Sequence, residues 1–253
     1  MVLQEIIIRS RFLTDLQPGA IVDRSVYSAF IGFKPKAKIK SLEDDYLREF
    51  NTPLKVVNVK NCILRPTIKF SRITPNLYGV DEDWIKPDKL RWYGYSNFYL
   101  NPPAIHYGKW MDTEEQRFVI SKEYLHLYAG LYGKNSKKKV KDLIQMARMA
   151  CKSMIPNQDS DLTEEQSAFY MAMETLIPHR LRKQYDWLAT KKNATPLEIA
   201  TVFMVPDEVI EHYQSETCKS SCTYAGLSHL LNSTVTPSDF AKYPPKPWYI
   251  PGF

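Results

Sequence analysis

The sequence predicts an α+β protein in which a helical core follows a small N-terminal β-containing region. From residue 112 onward, apolar residues recur at the spacing of amphipathic helices, whereas residues 1–90 carry short β-branched runs broken by proline. The 253 residues are enough for one large domain or two small ones with a real hydrophobic core. We therefore divide the chain into a β-rich region at 1–90, a core at 91–216 and a C-terminal extension at 217–253.

The elements of the first region are short. Isoleucine-rich runs predict strands at 6–8, 63–64 and 68–70, because β-branched residues favour strands and nearby prolines end them. Residues 34–40 form a basic run that we expect to be extended. A short helix is predicted at 41–50, with Ser41 as its N-cap.

The second region begins with aromatic residues, and an edge strand is predicted at 97–100. Helices are predicted thereafter at 113–130, 137–154, 162–176, 178–190, 195–204 and 206–216. Residues 243–253 are rich in proline and aromatic side chains and should be extended. This tail either packs on its own domain or docks on a partner.

Composition excludes several classes of protein. Hydrophobic residues at 44% and charged residues at 25% are ordinary for a globular protein. No apolar run is long enough to cross a membrane, no signal peptide is expected, and four cysteines do not indicate a disulfide framework. We expect a cytoplasmic protein without a membrane partner. The net charge of +6 is below that of a dedicated nucleic-acid binder.

The helix predicted at 113–130 carries the most informative residues. Asp112 or Thr113 can cap its start, and acidic residues follow in the first turn. Lys122, Glu123 and His126 fall on one face, so their side chains should project together. Zinc peptidases carry H-E-x-x-H on such a helix, with two histidines as ligands and the glutamate as general base. Here lysine occupies the first histidine position.

The flanking sequence resembles the ImmA/IrrE family of zincin-like metallopeptidases in three pieces. Residues 117–121 begin with an arginine-phenylalanine pair and lead into the motif helix. Residues 167–178 resemble the segment that carries a glutamate zinc ligand, and 197–209 resemble the helix pair that follows. In the second piece five residues fit the family pattern: Ala168, Ala172, Glu174, Leu176 and Pro178.

The resemblance implies a zincin-like helical core and a changed site. Two of the three expected zinc ligands fall on Lys122 and Ser167. These changes imply a catalytically inactive protein that acts by binding a protein partner. Because active members of that family cleave helix-turn-helix repressors, a transcriptional regulator is one candidate for the partner. No cofactor is expected in that case, and the pocket would contain Lys122, Ser167 and Glu174.

Two other functions stay open. An active zinc metallopeptidase would use Glu123 as its base and His126 as a ligand, with Glu164 or Glu165 as an acidic ligand. A component of a larger assembly would contact a neighbouring subunit or nucleic acid. Five lysines after the motif helix are the candidates for phosphate contacts: Lys134, Lys137, Lys138, Lys139 and Lys141.

Lys122 also carries an electrostatic prediction. An ammonium at a vacated ligand position can supply the positive charge that the metal would otherwise bring to the pocket. We therefore expect it to pair with Glu123 or with an acidic residue of the 162–176 helix. Replacing it with alanine should cost about 1–3 kcal/mol of stability, because a carboxylate loses its partner.

Overall fold

The computed structural model describes residues 13, 14, 17, 19–62, 75–81, 94–97, 100, 102–128 and 164–214. Helices predominate and two small sheets accompany them, which confirms the α+β class. A 3-10 turn at His179–Leu181 and a π-helical turn at Trp187–Lys191 flank the helix Arg182–Asp186. The α-helices of the described residues are α1 Arg24–Phe30, α2 Ala37–Phe50, α3 Val59–Cys62, α4 Thr113–Tyr128, α5 Glu164–Leu176, α6 Arg182–Asp186, α7 Pro196–Phe203 and α8 Asp207–Gln214.

The two sheets are small and separate. β1 (Ile21–Asp23) pairs antiparallel with β2 (Lys55–Val57). β3 (Asn76–Val80), β4 (Gly94–Asn97) and β5 (Ala104–Gly108) form a second sheet in the order β3-β5-β4. β5 is central, parallel to β3 and antiparallel to β4. Within the described residues, β4 is therefore an edge of this sheet.

One hydrophobic core joins the N-terminal elements to the helices. Ile39 of α2 and Val57 of β2 are buried in the same cluster as the phenylalanines of α4, α5 and α7. This shared burial means that residues 19–62 and the helices stabilise one another. The predicted boundary at residue 90 lies in the segment 82–93, outside the described residues.

Arg24 adds a polar connection between these parts. Its side chain is fully buried, and its guanidinium donates to the carbonyl oxygens of Val202 at 3.0 Å and Thr201 at 3.1 Å. It also contacts the Glu43 carboxylate at 2.5 Å. Carbonyl oxygens in the last turn of a helix lack intrahelical donors. Arg24 supplies hydrogen bonds to two of them in α7, although it lies 178 residues from Val202 in the sequence.

The predicted helices agree well with those described. The 113–130, 162–176, 195–204 and 206–216 predictions correspond to α4, α5, α7 and α8, and 178–190 becomes a chain of three helical turn types. The N-terminal helix is corrected. It begins at Ala37, with Lys36 as N-cap, so residues 37–40 of the basic run are helical and Ser41 lies inside the helix. The early start buries Ile39 in the core.

The strand predictions were less accurate. The edge strand predicted at 97–100 overlaps β4 (Gly94–Asn97) only at Asn97, and residues 98 and 99 lie outside the described residues. β1 and β2 were missed, because three-residue strands carry too little alternation to recognise. β3 and β5, each of five residues, were missed as well. The strands predicted at 6–8, 63–64 and 68–70, the helix predicted at 137–154 and the tail at 243–253 lie outside the described residues.

Candidate functional site

The start of α4 is fixed by a reciprocal cap. The Glu115 backbone N–H donates to Asp112 Oδ1 at 2.8 Å, and the Asp112 N–H donates to Glu115 Oε2 at 3.4 Å. This pairing satisfies two donors that a helix start leaves without partners. It confirms Asp112 as the cap and sets the phase of the helix that carries the motif residues.

Lys122, Glu123 and His126 come together in the interior, and none of the three is accessible to solvent. Lys122 Nζ lies 2.9 Å from Glu123 Oε1 and 3.5 Å from His126 Nε2. The sequence prediction that these side chains share a face, and that Lys122 pairs with Glu123, agrees with these distances. Because a lysine ammonium can only donate, the acceptor in the second contact is the imidazole nitrogen.

Strand β4 closes the site from the other side. The Ser96 hydroxyl lies 2.8 Å from the Glu123 carbonyl oxygen and 3.0 Å from Glu123 Oε2. A single hydroxyl hydrogen serves these two acceptors, so the Glu123 carboxylate depends chiefly on Lys122 for compensation. Sequence reasoning missed Ser96, since its role follows from strand packing that no local motif reveals.

Gly94 permits this close approach. A Cβ at this position would lie 2.4 Å from Val119 Cγ1 and 3.0 Å from the His106 carbonyl oxygen. Real Cβ atoms do not come this close, so any larger residue would push β4 away from α4. The glycine between aromatic residues was the only signal of this contact in the sequence.

The arginine-phenylalanine pair before the motif anchors α4. The Arg117 guanidinium donates to the Val57 carbonyl oxygen at 2.9 Å, covers the Tyr27 ring at 5.0 Å and lies 3.7 Å from Met204 Sδ. Phe118 packs edge-on against Phe169 at 5.3 Å between ring centroids. These contacts bring together the three segments on which the family resemblance rests.

Burial shifts the titration of groups at the margins of the site. Desolvation raises the pKa of Glu114 and Glu115 in the first turn of α4 above the usual carboxyl range. It lowers the pKa of His106 on β5, which favours the neutral imidazole. These three groups are therefore partly desolvated, which disfavours their charged forms.

Of the other predicted site residues, only Glu174 has a side chain among those that the structure describes. Glu174 is buried on α5, which packs against α4. Glu164, Glu165 and Ser167 belong to the beginning of α5, but their side chains lie outside the described part of the chain. The basic group, composed of Lys134, Lys137, Lys138, Lys139 and Lys141, also lies outside the described residues.

Lys122 stands where the zinc-peptidase motif carries its first histidine, and a protonated lysine amine has no lone pair for a metal. Its ammonium faces His126 Nε2, the imidazole nitrogen that would otherwise be available as a ligand. Within the described residues, no group of three or more histidine, cysteine, aspartate or glutamate side chains is placed to hold a metal.

Comparison with protein-family models, curated proteins and solved structures gives no significant match to this chain. Among the described helices, none is both long and apolar enough to cross a bilayer.

Proposed function

We propose that this chain is a zincin-like protein of the ImmA/IrrE type that has lost metal-dependent proteolysis and acts by binding a protein partner. The observation that carries the proposal is the fully buried contact of 2.9 Å between Lys122 Nζ and Glu123 Oε1. A lysine at a ligand position replaces a metal charge with a side-chain charge. The fold keeps its electrostatic balance while the reactive ion is lost.

The state of Glu123 supports loss of catalysis. A general base in a zincin must reach a metal-bound water, so its carboxylate has to face a hydrated cavity. Here the carboxylate contacts the Lys122 ammonium and the Ser96 hydroxyl and has no exposed surface.

The position of β4 supports peptide binding. This strand is an edge of its sheet within the described residues, and it lies directly against the helix that carries the cluster. The edge of a sheet can accept an extended segment of another protein through backbone hydrogen bonds, even where the side chains of the edge strand are buried. We therefore assign β4 as the docking strand, with an extended segment of a regulatory protein as its partner.

Metal content and proteolysis test the loss of catalysis. We expect protein purified in the presence of zinc to hold well under one equivalent after dialysis, because tight sites need three or four protein ligands. The Glu123→Gln variant should match the parent in any peptidase assay. One tightly held zinc per chain that disappears in His126→Ala, together with cleavage that needs Glu123, would overturn the proposal.

Peptide selection tests the binding role. Peptides selected on the protein from a random display library should be extended, and they should slow amide hydrogen exchange in β4. Exchange in β1, on the other sheet, should stay unchanged. Selected peptides that protect β1 or the helices but leave β4 exchanging as before would refute the docking strand.

A further inference from the structure

Strand β3 forms the edge of its sheet opposite to β4, within the described residues. Its first three residues are exposed, and they include two large apolar side chains, Leu77 at 36% and Tyr78 at 46% exposure. The five residues Asn76–Val80 include no charged residue and no proline. Because sheet edges are usually protected by charged side chains, proline or a bulge, β3 is open to pairing with another strand.

The ladder to β5 determines which backbone groups of β3 point to the open edge. The Asn76 N–H donates at 2.8 Å to the carbonyl oxygen of the residue before β5, and the Val80 carbonyl oxygen accepts at 2.9 Å from the N–H of the residue after β5. Backbone groups alternate in direction along a strand, so those of Tyr78 also face β5. The N–H and C=O groups of Leu77 and Gly79 consequently point away from β5.

These outward groups match the same strand of a second copy that runs antiparallel. With Tyr78 opposite its own counterpart, Leu77 of each copy lies opposite Gly79 of the other. Opposed residues whose backbone groups both face the partner exchange two hydrogen bonds, so this register forms four. A shift of one residue would set outward groups against inward ones. A shift of two would bring in Pro75, which has no N–H, or the charged Asp81.

We propose that β3 pairs antiparallel with β3 of a second copy, which joins two sheets of three strands into one of six. A contact between identical surfaces must be self-complementary, and an uncharged strand sets no like charges against each other when it meets itself. Tyr78, which stacks on His106 at 5.2 Å between ring centroids, meets its counterpart at the two-fold axis. This pairing is independent of docking at β4 and of the proposed loss of proteolysis.

Sedimentation velocity of the full chain over a concentration series tests the pairing. A pair of five-residue strands is smaller than a standard interface, so we expect a reversible dimer with a dissociation constant on the order of 1 µM to 1 mM. The Leu77→Pro variant removes an outward N–H and keeps the ladder to β5, because that N–H does not face β5. Two of the four hydrogen bonds are then lost, and dimerisation should weaken about 5- to 140-fold.

Charged variants of Tyr78 locate the two-fold axis. Tyr78→Glu and Tyr78→Lys each oppose like charges when alone, so each should dimerise more weakly than the parent. An equimolar mixture opposes unlike charges, and it should associate about 2- to 30-fold more tightly than either variant alone. The control variant Leu197→Lys places a charge at an exposed leucine of α7 and should dimerise as the parent does.

A chain that stays monomeric at every concentration refutes the pairing. So does a dimer that persists at the parent's affinity in Leu77→Pro, with circular dichroism showing that this variant is folded. If Leu77→Pro does not fold, the Tyr78 variants decide, and the proposal fails when their mixture associates no more tightly than either one alone.

Discussion

Replacing Lys122 with methionine removes the ammonium while keeping most of the side-chain volume. At 2.9 Å the attraction between Lys122 Nζ and Glu123 Oε1 is roughly 6 kcal/mol for an effective dielectric constant near 20. Much of this offsets the cost of burying both charges, so it is not the net contribution. The measured loss should instead reflect a buried carboxylate without its cation, about 3–5 kcal/mol.

This magnitude exceeds the expectation of about 1–3 kcal/mol for a partly desolvated pocket, because the structure buries both side chains completely. Urea unfolding followed by circular dichroism measures this loss of stability. The urea concentration at the midpoint should fall, while the dependence of the free energy of unfolding on urea concentration stays unchanged. The Lys122→Met/Glu123→Gln variant should recover to within about 1–2 kcal/mol of the parent, because no uncompensated charge is left. Lys183→Met, at an exposed site on α6, should stay within about 0.5 kcal/mol.

The double variant separates charge from packing. If Lys122→Met costs stability and the double variant costs still more, the loss comes from packing and not from the uncompensated carboxylate. A Lys122→Met variant that unfolds at the parent's urea midpoint would refute the reasoning entirely. Lys122 would then not compensate Glu123, and the electrostatic replacement for a metal would have no basis.

Three further changes test the fold around the site. Gly94→Ala should lower the free energy of unfolding by about 1–3 kcal/mol because its Cβ meets α4, whereas Gly79→Ala meets only a flexible lysine side chain and should cost less in the same denaturation assay. Arg24→Met should cost about 3 kcal/mol, because it leaves a carboxylate and two helix-end carbonyls without their donor. Hydrogen bonds from lysines lower the pKa of Asp45 and Glu49, so their stabilisation is present above the unfolded-state pKa and is lost as pH falls through the folded-state value. Thermal unfolding of the Asp45→Asn/Glu49→Gln variant should therefore depend less steeply on pH below about 4.5 than that of the parent.

The local part of the site could be predicted from the sequence. Lys122, Glu123 and His126 share a helix, so their proximity follows from the helical repeat alone. The cap at Asp112 is equally local, since both of its hydrogen bonds span three residues. Burial of the cluster was not predictable in this way, because it depends on the strand and helices that cover α4.

Long-range contacts account for what the sequence did not reveal. Ser96 and Gly94 act on α4 only because β4 pairs with β5 and lies across the helix. From the sequence alone Arg24 would be predicted to lie on the surface, because its hydrogen-bond partners are at the end of α7, far away in the chain. Such roles depend on the arrangement of elements distant in sequence, and a single sequence carries no periodic signal for them.

If the chain is an inactive zincin-like protein, as we propose, Lys122 accounts for the stability of its core without a metal. A pocket that holds carboxylates and an imidazole for a metal becomes unstable when the ion is lost, because buried negative charges repel and lack hydration. On the function that we propose, Lys122 would supply a positive charge in the same place, and folding would not depend on metal supply. The same residue would stand in place of the Lewis acid, and it contacts Glu123, the residue that would activate water. One residue would then both stabilise the fold and end catalysis.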